Sequence, residues 1–355
     1  MPDTTPLPSE FPRPPVDADL TPFLRILLSH TSLTAAQTTR AFEAIMTGRA
    51  HDGEIGALLA LLATRTPTSE EILGAARVMR AHVDAVPTPI DPERLVDTAG
   101  TGGAPKTFNV STAAAIVAAA AGAIVAKHGN RSRTGRGSAE VLAALGVNVD
   151  ASREVQARCL DEAGVCFCFA IHHHPAAKFV MPVRKALGVP TIFNLLGPLT
   201  NPAGARRQVM GVYDGRFLQP IAHALAELGA SHAMIVHSDD GLDELSISAP
   251  TTIMHVRDGD VREDRIEPAD VGLDAAPRET VVARDLDHAA AMIRGILDGT
   301  LTGPPLDMTL LSAAATLHVA DLADTMATGV TRAREAIRAG RAADTLATLA
   351  RVSNA

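Results

Sequence analysis

Three polar segments of this chain carry residue types suited to holding phosphate and a divalent cation. The first is Asp97-Thr98-Ala99-Gly100-Thr101-Gly102-Gly103, followed by Thr107-Phe108-Asn109-Val110-Ser111-Thr112 at the head of an alanine-rich stretch. Glycines let the backbone curl with N–H groups facing inward, and a helix start adds about half a positive charge from its dipole. Together they form a phosphate cradle, although a tight turn with Ser111 and Thr112 as helix caps would use the same residues. Pro105 excludes the dinucleotide fingerprint, and no Gly-Lys-Ser/Thr follows to make a nucleotide P-loop. The second segment, Lys127-His128-Gly129-Asn130-Arg131-Ser132, follows the apolar run Ala123 to Ala126 and is read as a loop at a strand end. Lys127 offers a point charge and Asn130 both a donor and an acceptor; solvated Lys127 and Arg131, with His128 bonded in a turn, is the plainer reading. The third is Ser238-Asp239-Asp240-Gly241-Leu242-Asp243-Glu244, with four carboxylates in six positions. They repel one another unless a cation sits among them, and hard oxygen donors suit Mg²⁺, which bridges to phosphates. A solvated acidic turn is the alternative.

Arg184, in Pro182-Val183-Arg184-Lys185, has the planar fork that holds a carboxylate by two parallel hydrogen bonds, or it is a surface arginine. His172-His173-His174 is rejected as a transition-metal site, because sequence neighbours point in different directions. No Ser-His-Asp or Cys-His arrangement suggests an activated nucleophile.

The elements that must position these segments are legible from periodicity. Leu20 to Val83 is helical throughout and accommodates four helices, with N-caps expected at Thr34, Asp52 and Thr68, the last in capping-box spacing with Glu71. Prolines 87, 89 and 92 then make a connector that no helix crosses, and a domain boundary is placed there. Beyond it, short strands (Leu95-Val96, Ala123 to Ala126, Val165 to Phe169, Ala233 to His237) alternate with helices from Ser111, from Ser138 to Leu145 and from Arg216 to Leu228. That alternation argues for an α/β domain with a mostly parallel central sheet flanked by helices on both faces. The expected division is a disordered Pro-rich leader over 1–19, a small all-helical domain over 20–90 joined by part of 185–205, and a large α/β domain over 91–355.

Composition narrows the function classes. The 355 residues are 46% hydrophobic and 20% charged, as in globular proteins, and only 3% aromatic, too few for base-stacking platforms. A net charge of −8 gives no overall field that draws the chain to nucleic acid. Cys159, Cys166 and Cys168 are crowded within ten positions of one apolar stretch, which is no disulfide framework and points to a reducing, cytoplasmic setting. The apolar run Ala113 to Ala126 is 14 residues, short of the roughly 20 needed to cross a bilayer, so no membrane partner is expected.

The three segments, in this order and joined by Thr191-Ile192-Phe193-Asn194-Leu195-Leu196-Gly197-Pro198-Leu199-Thr200-Asn201-Pro202, resemble the anthranilate phosphoribosyltransferases from about Leu20 to Leu349. The resemblance implies the fold shared with pyrimidine nucleoside phosphorylases, a cleft between the two domains as active site, a homodimer formed through the helical domain, and Mg²⁺ as cofactor. It implies transfer of a phosphoribosyl group from 5-phosphoribosyl diphosphate to anthranilate in tryptophan synthesis. By motif, Gly100, Thr101, Gly102, Gly103, Thr107, Asn109, Ser111, Thr112, Lys127 and Thr134 would bind the phosphoribosyl diphosphate, and Gly100, His128, Asn130 and Arg184 would line the anthranilate site. Asp243 and Glu244, with Ser111, would hold the metal. No side chain is assigned as a catalytic acid or base; His128 is the candidate. Three departures stand out: Ala104-Pro105 where the family has Asp after the glycines, a 133–137 loop one residue short with Thr134 in place of serine, and Ile171 where the family often has Pro. A nucleoside phosphorylase would carry a different lysine loop and a longer C-terminal part, and a non-catalytic nucleic-acid-binding relative would show a basic face and an eroded glycine loop; neither pattern is present.

Overall fold

The computed structural model describes residues 16–132 and 135–355, so most of the expected leader, Arg133 and Thr134 lie outside the described residues. Within the segment assigned to the leader, Ala18 N–H already donates to Arg49 O at 3.2 Å. Four helices follow: α1 (Thr21–Leu28), α2 (Ala35–Met46), α3 (Asp52–Ala63) and α4 (Ser69–Ala81). Thr34 and Thr68 head reciprocal capping boxes, with Gln37 and Glu71 returning the bond to the cap N–H at 2.9 Å each. Such a box satisfies two orphan donors at a helix start. Asp52 is not the cap expected of it. His51 takes that position without a side-chain bond, and Asp52 is the first helical residue, where its charge still complements the dipole.

Beyond the proline connector come β1 (Leu95–Asp97), α5 (Val110–Ala120), β2 (Ile124–Gly129), α6 (Ser138–Ala144), α7 (Arg153–Ala163), β3 (Val165–Phe169) and the short helices α8 (Ala170–His173), α9 (Met181–Leu187) and α10 (Phe193–Leu196). The chain continues through β4 (Arg207–Gly211), α11 (Leu218–Glu227), β5 (His232–Ser238), β6 (Thr251–Arg257) and β7 (Asp260–Ile266), and closes with α12 (Leu286–Leu297), α13 (Pro304–Val319), α14 (Met326–Arg338) and α15 (Arg341–Ser353). The sheet order is β3-β2-β1-β4-β5-β6-β7, parallel through β5 and antiparallel for the last two strands. β4 and the β6–β7 hairpin are the parts of the sheet that the strand and helix alternation did not reveal. β7 carries Arg262, Glu263, Asp264 and Arg265 at its exposed edge, a charge pattern that discourages pairing with another chain.

The period of two along a strand decides which face each side chain meets. On β5, Met234 and Val236 join the core beneath α5 and α13, whereas Ala233 and Ile235 join the core shared with α11 and the N-terminal helices. That second core also takes Ala176, Val180, Val183, Phe193 and Leu196, so the 176–199 segment packs against the helical layer. Phe42 of α2 is fully buried with its ring 5.4 Å from that of Phe193, a burial that contributes about 1.5–3 kcal/mol.

Candidate active site

The parallel strands end on one edge of the sheet, and the winding reverses between β1 and β4, which opens a crevice for ligands there. The glycine loop leaves β1 and is fastened to the end of β4. Thr101 N–H donates to Gly211 O at 2.9 Å, and Tyr213 N–H donates to Thr101 Oγ1 at 3.0 Å. Gly102 and Gly103 have φ of +61° and +101°, conformations that residues with side chains rarely adopt. Gly211, which sequence reasoning passed over, is demanded by packing, since a Cβ there would stand 1.7 Å from Asp243 O. A Cβ on Gly100 would likewise lie 3.6 Å from Asp243 Oδ2, so the glycine loop and the acidic loop touch.

Asn109 occupies the cap position of α5 with φ +68° and sends its Nδ2 to Arg136 O at 3.2 Å. Ser111 and Thr112 are therefore inside the first turn and are not its caps. Ser111 Oγ accepts from Lys127 Nζ at 3.2 Å, while Thr112 Oγ1 is buried without a partner among the described residues. Thr107 is buried just before them.

Lys127 and His128 do not lie in a loop, as the sequence suggested. β2 runs on to Gly129, with Lys127 opposite Phe167 and His128 opposite Cys168, because β3 supplies the backbone partners that let polar residues remain in the ladder. Each is only 3% exposed, which removes the solvated reading. The three Nζ donors of Lys127 go to Thr98 O, Thr98 Oγ1 and Ser111 Oγ, each at 3.2 Å. Burial pulls its ammonium below the ordinary lysine range, opposed by the charges of Asp97 and Glu244. Asp97 stood at the head of the first segment but was given no role, although an acid closing an apolar strand before a glycine loop is a readable signal. It is 1% exposed, accepts His128 N–H on Oδ1 at 3.0 Å, and has no hydrogen-bond partner for Oδ2 among the described residues; burial pushes its carboxyl up to about 6.

The acidic segment is sorted by its neighbours. Asp239 pairs with Arg265 of β7, and Asp240 Oδ2 accepts from Ser246 Oγ at 2.8 Å and from Ser248 Oγ. Only Asp243 and Glu244 remain turned toward the crevice, half-buried and adjacent. Burial and the neighbouring Asp243 push Glu244 up to about 8, and burial also raises Asp243. Two such carboxyls fit a divalent cation that would relieve their repulsion. Among the described residues no cluster of three or more His, Cys, Asp or Glu side chains could hold a metal ion, so beyond these two carboxyls the ligands would be oxygens of other kinds, such as a hydroxyl, water or phosphate, which suits Mg²⁺.

On the other side of the crevice, His128 Nδ1 lies 3.1 Å from Gly197 O, which can only accept, so the ring carries its proton on Nδ1. Its Nε2 is then an acceptor, 3.3 Å from His174 Nε2. Burial depresses His128 to about 3 and His174 to about 4, and both rings are neutral at pH 7. The other two histidines of that run diverge, His172 to Asp150 at 2.8 Å and His173 to Gln156 at 2.9 Å. Arg184, on α9, donates to Asn194 Oδ1 at 3.3 Å and lies over the Phe193 ring at 5.3 Å. Phe193 and Asn194 belong to α10, which runs directly into Gly197, so Arg184 and His128 reach one short segment from opposite ends. Asn130 is exposed, with Oδ1 accepting Arg131 N–H at 2.8 Å.

Family models match two stretches of the chain: a glycosyl transferase family helical bundle domain over residues 21–83 and a glycosyl transferase family a/b domain over residues 92–343. The anthranilate phosphoribosyltransferase of Thioalkalivibrio sulfidiphilus is 47% identical over 330 residues, covering 92% of this chain and 97% of the relative. The crystal structure of the Thermus thermophilus enzyme of that name superposes with a TM-score of 0.86 at 38% identity, covering 94% of this chain and 99% of the other. The Saccharomyces cerevisiae enzyme, solved in complex with PRPP and Mg, gives 0.85 at 26% identity over 94% and 98%. The yeast enzyme has also been solved with 4-fluoroanthranilate.

Proposed function

The chain belongs to the anthranilate phosphoribosyltransferases, and we propose on that premise how its own residues carry out the reaction. It transfers the 5-phosphoribosyl group of phosphoribosyl diphosphate to the amino group of anthranilate, releasing diphosphate, in tryptophan biosynthesis. The observation that carries the site assignment is the meeting of the glycine loop and Asp243 at the β1–β4 reversal, beside Lys127 and the first turn of α5.

Gly100 to Gly103, Thr107, Asn109, Ser111, Thr112 and Lys127 bind the phosphoribosyl diphosphate in this reading. Thr112 Oγ1 supports it, being a buried hydroxyl without a hydrogen-bond partner among the described residues. Asp243 and Glu244, with Ser111, hold Mg²⁺, which supplies charge neutralisation at the departing diphosphate. Lys127 adds a fixed positive charge whose donors are already oriented, the form of stabilisation that costs no reorganisation as charge develops. Anthranilate's amine is neutral at pH 7 and needs orientation rather than activation. Arg184 pairs with its carboxylate, while Gly100, His128 and Asn130 line the approach to the ribose carbon. Holding the two substrates in line removes much of the entropic barrier. His128, neutral and with both ring nitrogens engaged by Gly197 O and His174, serves as a wall of the site.

The assignment of 20–90, joined by part of 185–205, as a small domain closing on 91–355 belongs to the same proposal. So do a homodimer through the helical domain, supported by Leu28 of α1 at 64% exposure, and a cytoplasmic setting, supported by three buried free cysteines. The decisive experiment mixes protein, Mg²⁺, phosphoribosyl diphosphate and anthranilate and follows the loss of anthranilate fluorescence. Folded protein that leaves the fluorescence unchanged would overturn the reading.

A further inference from the structure

Two lysines stand at the phosphate cradle, and they differ in what their ammonium groups have left to give. Lys127 is enclosed, with all three donors committed to protein oxygens. Lys106 is half-buried between the glycine loop and Asn109. Its Nζ donates to Ser132 Oγ and to Arg136 O, the latter at 3.3 Å, and so has a third donor without a partner among the described residues. Both partners are neutral oxygens, and no carboxylate of the described residues comes within ion-pair distance. A partly desolvated cation of this kind favours an anion beside it.

We propose that Lys106 is a further binding residue for the diphosphate of 5-phosphoribosyl diphosphate, donating directly to it where Lys127 acts as a fixed charge behind the cradle. Lys106 takes no part in the motif that carries the family resemblance. It follows the Ala104-Pro105 departure, so the loop that lacks the usual acid presents a cation instead. Several charged groups face it. Burial and the Arg136 guanidinium hold its pKa below the ordinary lysine range, while Glu140 and Asp243 act in the opposite sense from beyond contact distance. Asn109 Nδ2 shares the Arg136 carbonyl with it at 3.2 Å, so the two donors meet at one oxygen. In this assignment a diphosphate over Gly100 to Gly103 takes the remaining donor of Lys106.

This assignment rests on the transferase reading above, and the test separates the two. Titration calorimetry on the full chain with Mg²⁺ and inorganic diphosphate, and then with phosphoribosyl diphosphate, is run on wild type, Lys106→Met, Lys106→Gln and Lys106→Arg. Loss of the charge is expected to weaken both ligands by about tenfold or more in the Met and Gln variants. Arg is expected to recover most of the affinity, and the KM for anthranilate should stay within about twofold of wild type. Gln can still bridge Ser132 and the Arg136 carbonyl, so wild-type affinity in Lys106→Gln would reduce Lys106 to a tie between two loops and overturn the proposal. Unchanged affinity in Lys106→Met, or a parallel loss for both substrates with a lowered melting temperature, would overturn it as well. An active wild type with those results leaves the transferase reading intact, whereas a wild type that neither binds diphosphate nor consumes anthranilate ends both.

Discussion

Replacing Arg184 by alanine tests the acceptor pocket most directly. The guanidinium is held by Asn194 Oδ1 at 3.3 Å and by the face of Phe193 at 5.3 Å, so its fork is fixed before anthranilate arrives. A hydrogen bond to a charged partner contributes about 1.5–3 kcal/mol, which at about 1.4 kcal/mol per decade is roughly ten- to a hundred-fold in affinity. Arg184→Ala should therefore raise the KM for anthranilate by that factor and leave the KM for phosphoribosyl diphosphate nearly unchanged. Arg184→Lys should recover only part, since an ammonium keeps the charge but loses both the fork and the stacking on Phe193. Asn194→Ala removes only the neutral bond that orients the arginine, and a loss of about 0.5–1.5 kcal/mol, roughly two- to ten-fold, is expected. The assay is the initial rate of anthranilate fluorescence loss, with each substrate varied against saturation by the other. An Arg184→Ala enzyme that loses phosphoribosyl diphosphate affinity would place the arginine in the phosphate site and refute the reasoning.

Asp243→Asn with Glu244→Gln should abolish most activity at saturating Mg²⁺ while the melting temperature stays equal or rises, because repulsion between two half-buried carboxyls is removed; full activity in the double variant would take the acidic loop out of the site. His128 and His174 are depressed to about 3 and about 4 from an ordinary 6.5, so the unfolded chain binds more protons than the folded one between those values. Their contribution is present above 6.5 and fades as pH falls, by about 2 kcal/mol per ring at pH 5. Thermal melts from pH 7 to pH 5 should show a shallower decline for His174→Gln than for wild type, and parallel curves would contradict this. Gly211→Ala places a methyl 1.7 Å from Asp243 O, so circular dichroism should show a lowered melting temperature and the fluorescence assay a near-complete loss of turnover; a stable, active variant would show that the acidic loop can move freely off β4.

Much of this architecture is written in short-range pattern. The capping boxes at Thr34 and Thr68, the four N-terminal helices, the strand and helix alternation after Pro92 and the glycine loop all follow from residues within a few positions of one another. The motifs that mark the family are equally local. What sequence reasoning missed depends on groups far apart along the chain. Lys127 and His128 read as a polar loop, yet β3 extends the ladder and buries them. The four carboxylates look equivalent until Arg265, Ser246 and Ser248 engage Asp239 and Asp240, leaving Asp243 and Glu244 for the crevice. Gly211 looks like any strand-end glycine until Asp243 packs on it, and Thr101 reaches its carbonyl across 110 residues of sequence. Secondary structure is set by neighbours whose separation the chain itself fixes. Which polar groups are desolvated, paired or left without a partner is set by contacts that exist only once the sheet has closed, and the chemistry of the site depends on those.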